Sequence, residues 1–235
     1  MSVLGVADAH LTCAGRTDAG VHARAQVVHV DVDEAVLEGL RGRRRGGGPD
    51  LLWLGRSLSD LCGPEIVVWR AGLAPEGFDA RHSALARRYG YEISTGERPD
   101  PLERHAVWHV GGALDVAVLR LATDPVVGEH DFAAFCRRPP GRLAGPMVRV
   151  VHDAHWVVRG ATRLAFEIEA GAFCHQMVRS VVGAVVAAGQ GRLKPSDVVS
   201  LLRSGSRAGA PPLAPARGLC LVGVRYRDEH GGWWT

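Results

Sequence analysis

The residues best suited to chemistry are Arg16 and Asp18, set in Ala14-Gly15-Arg16-Thr17-Asp18-Ala19-Gly20-Val21-His22-Ala23-Arg24. A carboxylate stands one turn from a guanidinium, with glycine on both sides. Two functions fit Asp18. It can be a turn-forming aspartate that accepts a hydrogen bond from its own backbone, a common role beside glycine. Or it can be a nucleophile or base held near Arg16, where an opposite charge favours the ionised form and so nucleophilic work over proton donation. Spacing alone leaves these readings even.

Arg179 lies one helical turn after His175, on the face opposite Val178, Val181, Val182, Val185 and Val186. A lone arginine on a polar helix face is usually solvated. With the other face committed to the core, however, Arg179 is free to look toward a cleft and pair with a carboxylate. Tyr89 and Tyr91 occur as Arg87-Arg88-Tyr89-Gly90-Tyr91. Both suit the core of a strand, Tyr91 especially. Tyr89 beside two arginines also fits nucleic acid binding, the ring stacking on a base and the arginines holding phosphates. His22, Cys174 and His175 suggest a metal, but the eleven histidines are dispersed and no His-x-x-x-His or Cys-x-x-Cys pair occurs, so no metal site is expected.

These residues need elements to hold them. Residues 9–13 read as a short strand. Residues 25–32 read as a second one, half-buried, with Val28, Val30 and Val32 alternating with His29 and Asp31. The spacing predicts a short helix over 34–40 and buried strands over 66–71 and 86–94. In the latter Tyr89, Tyr91 and Ile93 share one face. A helix is expected over 115–122, paired strands over 148–158 and 164–170, and a helix over 173–189 ended by Gly189 and Gly191. Pro195 opens a further helix running to about Arg203, and a strand closes the chain at 219–226. Strands and helices interleave throughout, which makes a mixed α/β or α+β protein.

The bulk composition sets the class. The chain has 235 residues, 46% hydrophobic and 23% charged, as expected of a soluble globular protein. No apolar run is long enough to span a bilayer, and no basic-then-apolar leader is present. Five scattered cysteines predict free thiols in a reducing cytosol rather than a disulfide framework or a zinc site. Residues 1–78 carry 8 basic side chains against 10 acidic, and residues 79–235 carry 20 against 15. Lys194 is the only lysine. Such a bias can simply follow genomic base composition, although arginine's planar fork also suits phosphate. Arg43, Arg44 and Arg45, in the glycine-rich stretch Arg41–Pro49, read as a solvated loop more readily than as a phosphate-contacting arm.

Taken together, these segments resemble the tRNA pseudouridine synthase A family. Ala14 to His22 is similar to its active-site motif. Phe78-Asp79-Ala80-Arg81 with Ser83 to Tyr91 resembles a second motif, and Phe173-Cys174-His175-Gln176-Met177-Val178-Arg179-Ser180-Val181-Val182-Gly183 a third. Gly218 to Tyr226 resembles the terminal strand, and His130-Asp131-Phe132-Ala133-Ala134-Phe135 is a weaker fifth match.

The resemblance implies the pseudouridine synthase fold: two α/β subdomains, residues 1–78 and 79–235, sharing a continuous, largely antiparallel sheet with the active site in a central cleft. It implies that Asp18 is the nucleophile that isomerises uridine to pseudouridine. Tyr89 would stack on the target base and take part in proton removal from C5. Arg179 would orient Asp18, and Arg16 would help hold the flipped nucleotide. The implied substrate is the anticodon stem-loop of tRNA, at positions 38 to 40, bound by a cytoplasmic homodimer through shape and phosphate contacts. The N1–C1′ bond breaks, the uracil turns and C5 replaces N1, with no redox change and no water consumed, so neither cofactor nor metal is implied. Extracting the base from its stack costs a few kcal/mol that phosphate contacts must offset.

The chain departs from the family pattern ahead of Thr12, where relatives carry a first strand and most of a helix. Met1 to Ala7 reads as the tail of that helix. Loss of the strand would expose backbone edges and core surface; either the recorded start lies downstream of the true one or the chain is a truncated paralogue, and the presence of Asp18, Tyr89 and Arg179 favours the first. Two other functions compete with this reading. One is a truncated relative that binds tRNA or other RNA without catalysis. The other is an aspartate-dependent glycosyl hydrolase, which needs a second carboxylate that the sequence does not identify.

Overall fold

The computed structural model describes residues 9–41, 50–138, 141, 145–227 and 233–234. The readings of Met1–Ala7 and of Arg43 to Arg45 lie outside the described residues. In chain order the strands are β1 (Leu11–Cys13), β2 (His22–Ala23), β3 (Val28–Val30), β4 (Ala84–Ser94), β5 (Trp108–His109), β6 (Gly128–Asp131), β7 (Val148–Gly160), β8 (Arg163–Ala170), β9 (Leu219–Tyr226) and β10 (Trp233–Trp234). The helices are α1 (Glu34–Arg41), α2 (Leu51–Cys62), α3 (Val116–Thr123), α4 (Met177–Gly189) and α5 (Pro195–Ser204). Two compact units result. One takes the described residues of 1–13 and 27–81; the other takes 14–26 and those from 82 onward.

In the first unit β1 pairs antiparallel with β3, Leu11 opposite Val30 and Cys13 opposite Val28. Helix α2 begins at Asp50, whose Oδ1 accepts from the Trp53 amide at 2.9 Å and so satisfies an orphan N–H of the first turn. The sequence reading passed over this helix, although the aspartate before Leu51-Leu52-Trp53-Leu54 is a start signal. The buried strand expected over 66–71 does not form: the segment runs extended without a ladder, and Ile66, Val67 and Trp69 are exposed. One side-chain hydroxyl fastens it, Ser59 Oγ accepting from the Val68 amide at 2.8 Å. A run of branched residues signals strand propensity, but a ladder needs a neighbour with free edge groups.

The second unit is built on a sheet with the order β10-β9-β4-β8-β7-β6, to which β2 adds beside β9 and β5 beside β4. It is antiparallel except where β2 runs parallel to β9 and β5 parallel to β4, so the largely antiparallel mixed architecture is as expected. Strand β4 is central. Its alternation places Tyr89, Tyr91 and Ile93 in the core, the last two wholly buried. Helices α3, α4 and α5 pack on one another, and α3 is tied to the sheet where Trp156 Nε1 donates to Thr123 Oγ1 at 2.9 Å.

Two expectations are corrected here. Helix α4 starts at Met177, not Phe173, and it is not two-faced: every residue in it is buried except Arg179. An apolar helix covered on all sides leaves its single arginine only the opening at its first turn. The cysteines are not all free thiols. Cys136 and Cys174 form a disulfide with Cα atoms 5.7 Å apart, within the usual range for the bond, while Cys13, Cys62 and Cys220 are free. Thirty-eight positions separate the bonded pair, so only packing of the turn Phe132–Phe135 near the start of α4 brings them together.

Candidate active site

The Asp18 loop belongs to the second unit, with residues far along the chain, because β2 joins β9: His22 pairs with Cys220 and Ala23 with Leu221. The Arg24 amide continues the ladder to the Leu221 carbonyl at 2.8 Å. At its root the loop is fixed by Ala14, which is buried and whose carbonyl accepts from Arg87 Nε and Nη2 at 3.1 and 2.8 Å. Gln26 Nε2 closes the loop across its base by donating to the Gly15 carbonyl at 2.8 Å. The tip is a turn in which the Val21 amide donates to the Asp18 carbonyl at 3.1 Å. Gly20 sits at φ +79°, a conformation that costs a side chain but not glycine. Asp18 is therefore held by its backbone as well as by its carboxylate.

That carboxylate has two partners, neither of them Arg16. Arg179 Nη1 donates to Oδ2 at 2.7 Å, and His175 Nε2 lies 3.3 Å from Oδ1. Arg16 is exposed on the loop. Arg179 is itself braced, since Nε donates to the Ala214 carbonyl at 2.8 Å while the Ala214 amide donates to the Arg179 carbonyl at 3.1 Å. Closeness of α4 to this segment requires glycine at 183, where a Cβ would come within 2.4 Å of the Pro212 carbonyl oxygen. With 15% and 18% of their side-chain surfaces exposed, Arg179 and Asp18 meet in a largely dehydrated setting where charge-assisted hydrogen bonds are strong.

Tyr89 is buried and packs edge-on against Phe173, ring centroids 5.2 Å apart at 90°. Its hydroxyl end approaches the loop, since a Cβ on Gly15 would lie 3.8 Å from Tyr89 Oη. Tyr91 is a core residue, as read from its alternation. Its hydroxyl donates to the Pro215 carbonyl at 2.7 Å, and burial pushes the phenol well above its usual range. The neighbouring arginines make contacts within the protein. Arg87 is buried and spends its guanidinium on the carbonyls of Ala14, Ala84 and Gly171, while Arg88 pairs with Glu169 at 3.0 Å. Successive strand residues point to opposite faces, and Arg87 falls on the covered face of Tyr89, Tyr91 and Ile93.

His22 and Cys174 have other partners. His22 Nε2 is hydrogen-bonded to the His105 carbonyl at 2.6 Å, and Cys174 is in the disulfide. Among the described residues no group of three His, Cys, Asp or Glu side chains is placed to hold a metal ion. Residue Arg87, which anchors the loop, was missed as a site residue; the signal available was only its place two residues before Tyr89.

From the last turn of α3 to the end of β9, residues 122–227 match the model of a family described as tRNA pseudouridine synthase, and the sheet with its helical cover is a pseudouridine synthase fold. Relatives extend the match over most of the chain. It is 41% identical over 221 residues to the tRNA pseudouridine synthase A of Leifsonia xyli subsp. xyli, covering 92% of this chain and 76% of that protein. It is likewise 41% identical over 231 residues to that of Frankia casuarinae, covering 97% and 78%. To that of Geobacter sulfurreducens it is 38% identical over 216 residues, covering 92% and 82%. The chain belongs to the tRNA pseudouridine synthase A family, and with it to the isomerases that convert uridine to pseudouridine in tRNA.

Proposed function

We propose that this chain isomerises uridine in the anticodon stem-loop of tRNA, at positions 38 to 40, with Asp18 as the nucleophile. The observation that carries the reading is the 2.7 Å contact of Arg179 Nη1 with Asp18 Oδ2, which anchors the carboxylate through one of its oxygens. A carboxylate so held can attack an electrophilic carbon of the nucleotide. The N1–C1′ bond breaks, the uracil turns, C5 bonds to C1′, and the proton lost from C5 is balanced by one gained at N1. Tyr89, with its hydroxyl end beside the loop, stacks on the target base and takes part in removing the C5 proton. Arg16, exposed on the same loop, contacts the flipped nucleotide.

The resemblance further supports a cytoplasmic homodimer gripping tRNA by shape and phosphate. Among the described residues no helix is long and apolar enough to cross a membrane. The decisive assay is tritium release from C5-labelled uridine in tRNA. Release by the parent, and none by Asp18→Ala, is the expected result. Binding of tRNA with no release by the parent would instead make the chain an RNA-binding relative without catalysis. Sedimentation with and without tRNA tests the dimer.

A further inference from the structure

We infer that His175 is a positioning residue for Asp18, holding the oxygen that Arg179 leaves unoccupied. The inference rests on the reading of Asp18 as the reacting carboxylate. Arg179 engages Oδ2 alone, and a carboxylate anchored through one oxygen can still rock about its terminal torsion, which is broad. A second group at Oδ1 removes that freedom. His175 Nε2 stands there, 3.3 Å away.

The backbone is bent to put it there. His175 precedes α4 in the turn Cys174-His175-Gln176, and Gln176 takes φ +67°, the one non-glycine residue with positive φ among the described residues. A left-handed conformation in a residue with a side chain costs on the order of 1 kcal/mol and is retained where the surroundings impose it, typically at functional sites. Here three bonds do so. The Met177 amide donates to the Cys174 carbonyl at 3.0 Å, the Arg137 amide donates to the His175 carbonyl at 2.9 Å, and Cys174 is bonded to Cys136. Cys174, before the histidine, and Met177, two residues after it, are buried.

What this turn delivers is an imidazole that the core does not use, for 48% of the His175 side chain is exposed. A histidine kept only for packing would be covered, and a solvated one would not need a strained, triply fastened turn that ends at the reacting carboxylate. With Nε2 at Oδ1 and Nη1 of Arg179 at Oδ2, the carboxylate is pre-set before the nucleotide arrives. Misplacement of a reacting group by about 1 Å can cost a hundredfold in rate.

The test compares the parent with His175→Ala, His175→Gln and Asp18→Ala. Two quantities are read: the single-turnover rate of tritium release at saturating enzyme, and the dissociation constant for tRNA. We expect His175→Ala to slow the step about tenfold to a hundredfold with tRNA affinity nearly unchanged. The His175→Gln amide can present an N–H at the same point and should recover most of the rate. A His175→Ala rate within twofold of the parent overturns the proposal. So does a loss confined to affinity, which would make His175 an RNA contact. A His175→Gln protein that is folded by circular dichroism yet no faster than His175→Ala overturns it too. Activity retained by Asp18→Ala would instead overturn the underlying assignment of the nucleophile.

Discussion

Arg87, two residues before Tyr89, donates two hydrogen bonds to the carbonyl of Ala14 and so fastens the root of the Asp18 loop to strand β4. A third goes to the Gly171 carbonyl at 2.7 Å and a fourth to Ala84 at 3.1 Å. The guanidinium is buried, and three backbone carbonyls accept from it. One side chain thereby joins the Asp18 loop, the central strand and the segment leading into the turn at His175.

Replacing Arg87 with Met should therefore loosen the loop and leave carbonyls without donors. Losing a hydrogen-bonded buried charge costs roughly 3 kcal/mol. The expected outcome is a fall of that order in urea-derived stability together with a loss of tritium release. A change below about 1 kcal/mol would mean the carbonyls find other donors.

Arg179→Lys should separate charge from geometry. Arginine reaches Asp18 through Nη1 and the Ala214 carbonyl through Nε at once, which one ammonium group cannot reproduce. We expect the isomerisation rate to fall on the order of a hundredfold while tRNA affinity changes little. A lysine variant as fast as the parent would show that charge alone suffices.

The disulfide predicts a thiol count. With Cys136 and Cys174 bonded, thiol titration of the unreduced, denatured protein should find the three free cysteines Cys13, Cys62 and Cys220, and all five after reduction. Closing a loop of this length contributes up to about 4 kcal/mol on the chain-entropy model, so Cys136→Ser with Cys174→Ser should melt well below the unreduced parent. Five thiols before reduction would refute the bond.

Tyr91 makes stability depend on alkaline pH. Burial raises its phenol above the usual value, so the folded state holds a proton that the unfolded chain gives up near pH 10. The unfolded state then binds fewer protons than the native one, and stability must fall as pH rises. Its contribution is complete below about pH 10 and is lost progressively above that. Denaturation midpoints measured from pH 8 to 11 should decline more steeply in the parent than in Tyr91→Phe; parallel curves would contradict this.

Much of the candidate site was legible because its signals are local. Asp18 between glycines, Tyr89 on an alternating strand and Arg179 near the start of an apolar helix each carry a signal within a few residues. Strands β4, β7, β8 and β9 were readable for the same reason, since period-two patterns survive wherever one face is buried. Helix α2 was passed over, and the strand expected over 66–71 failed because propensity does not supply a pairing partner.

The sequence by itself determined which residue types are available for the reaction: a carboxylate in a constrained loop, a tyrosine and a distant arginine, on a mixed α/β frame. Tertiary structure alone decided their partners. Asp18 faces Arg179 across 161 positions rather than its neighbour Arg16, Arg87 turns inward to Ala14 across 73, and Cys136 meets Cys174 across 38. The reason is physical. Period and spacing fix which way a side chain leaves its own strand or helix, whereas the group it meets depends on how strands join a sheet, here on β2 entering beside β9.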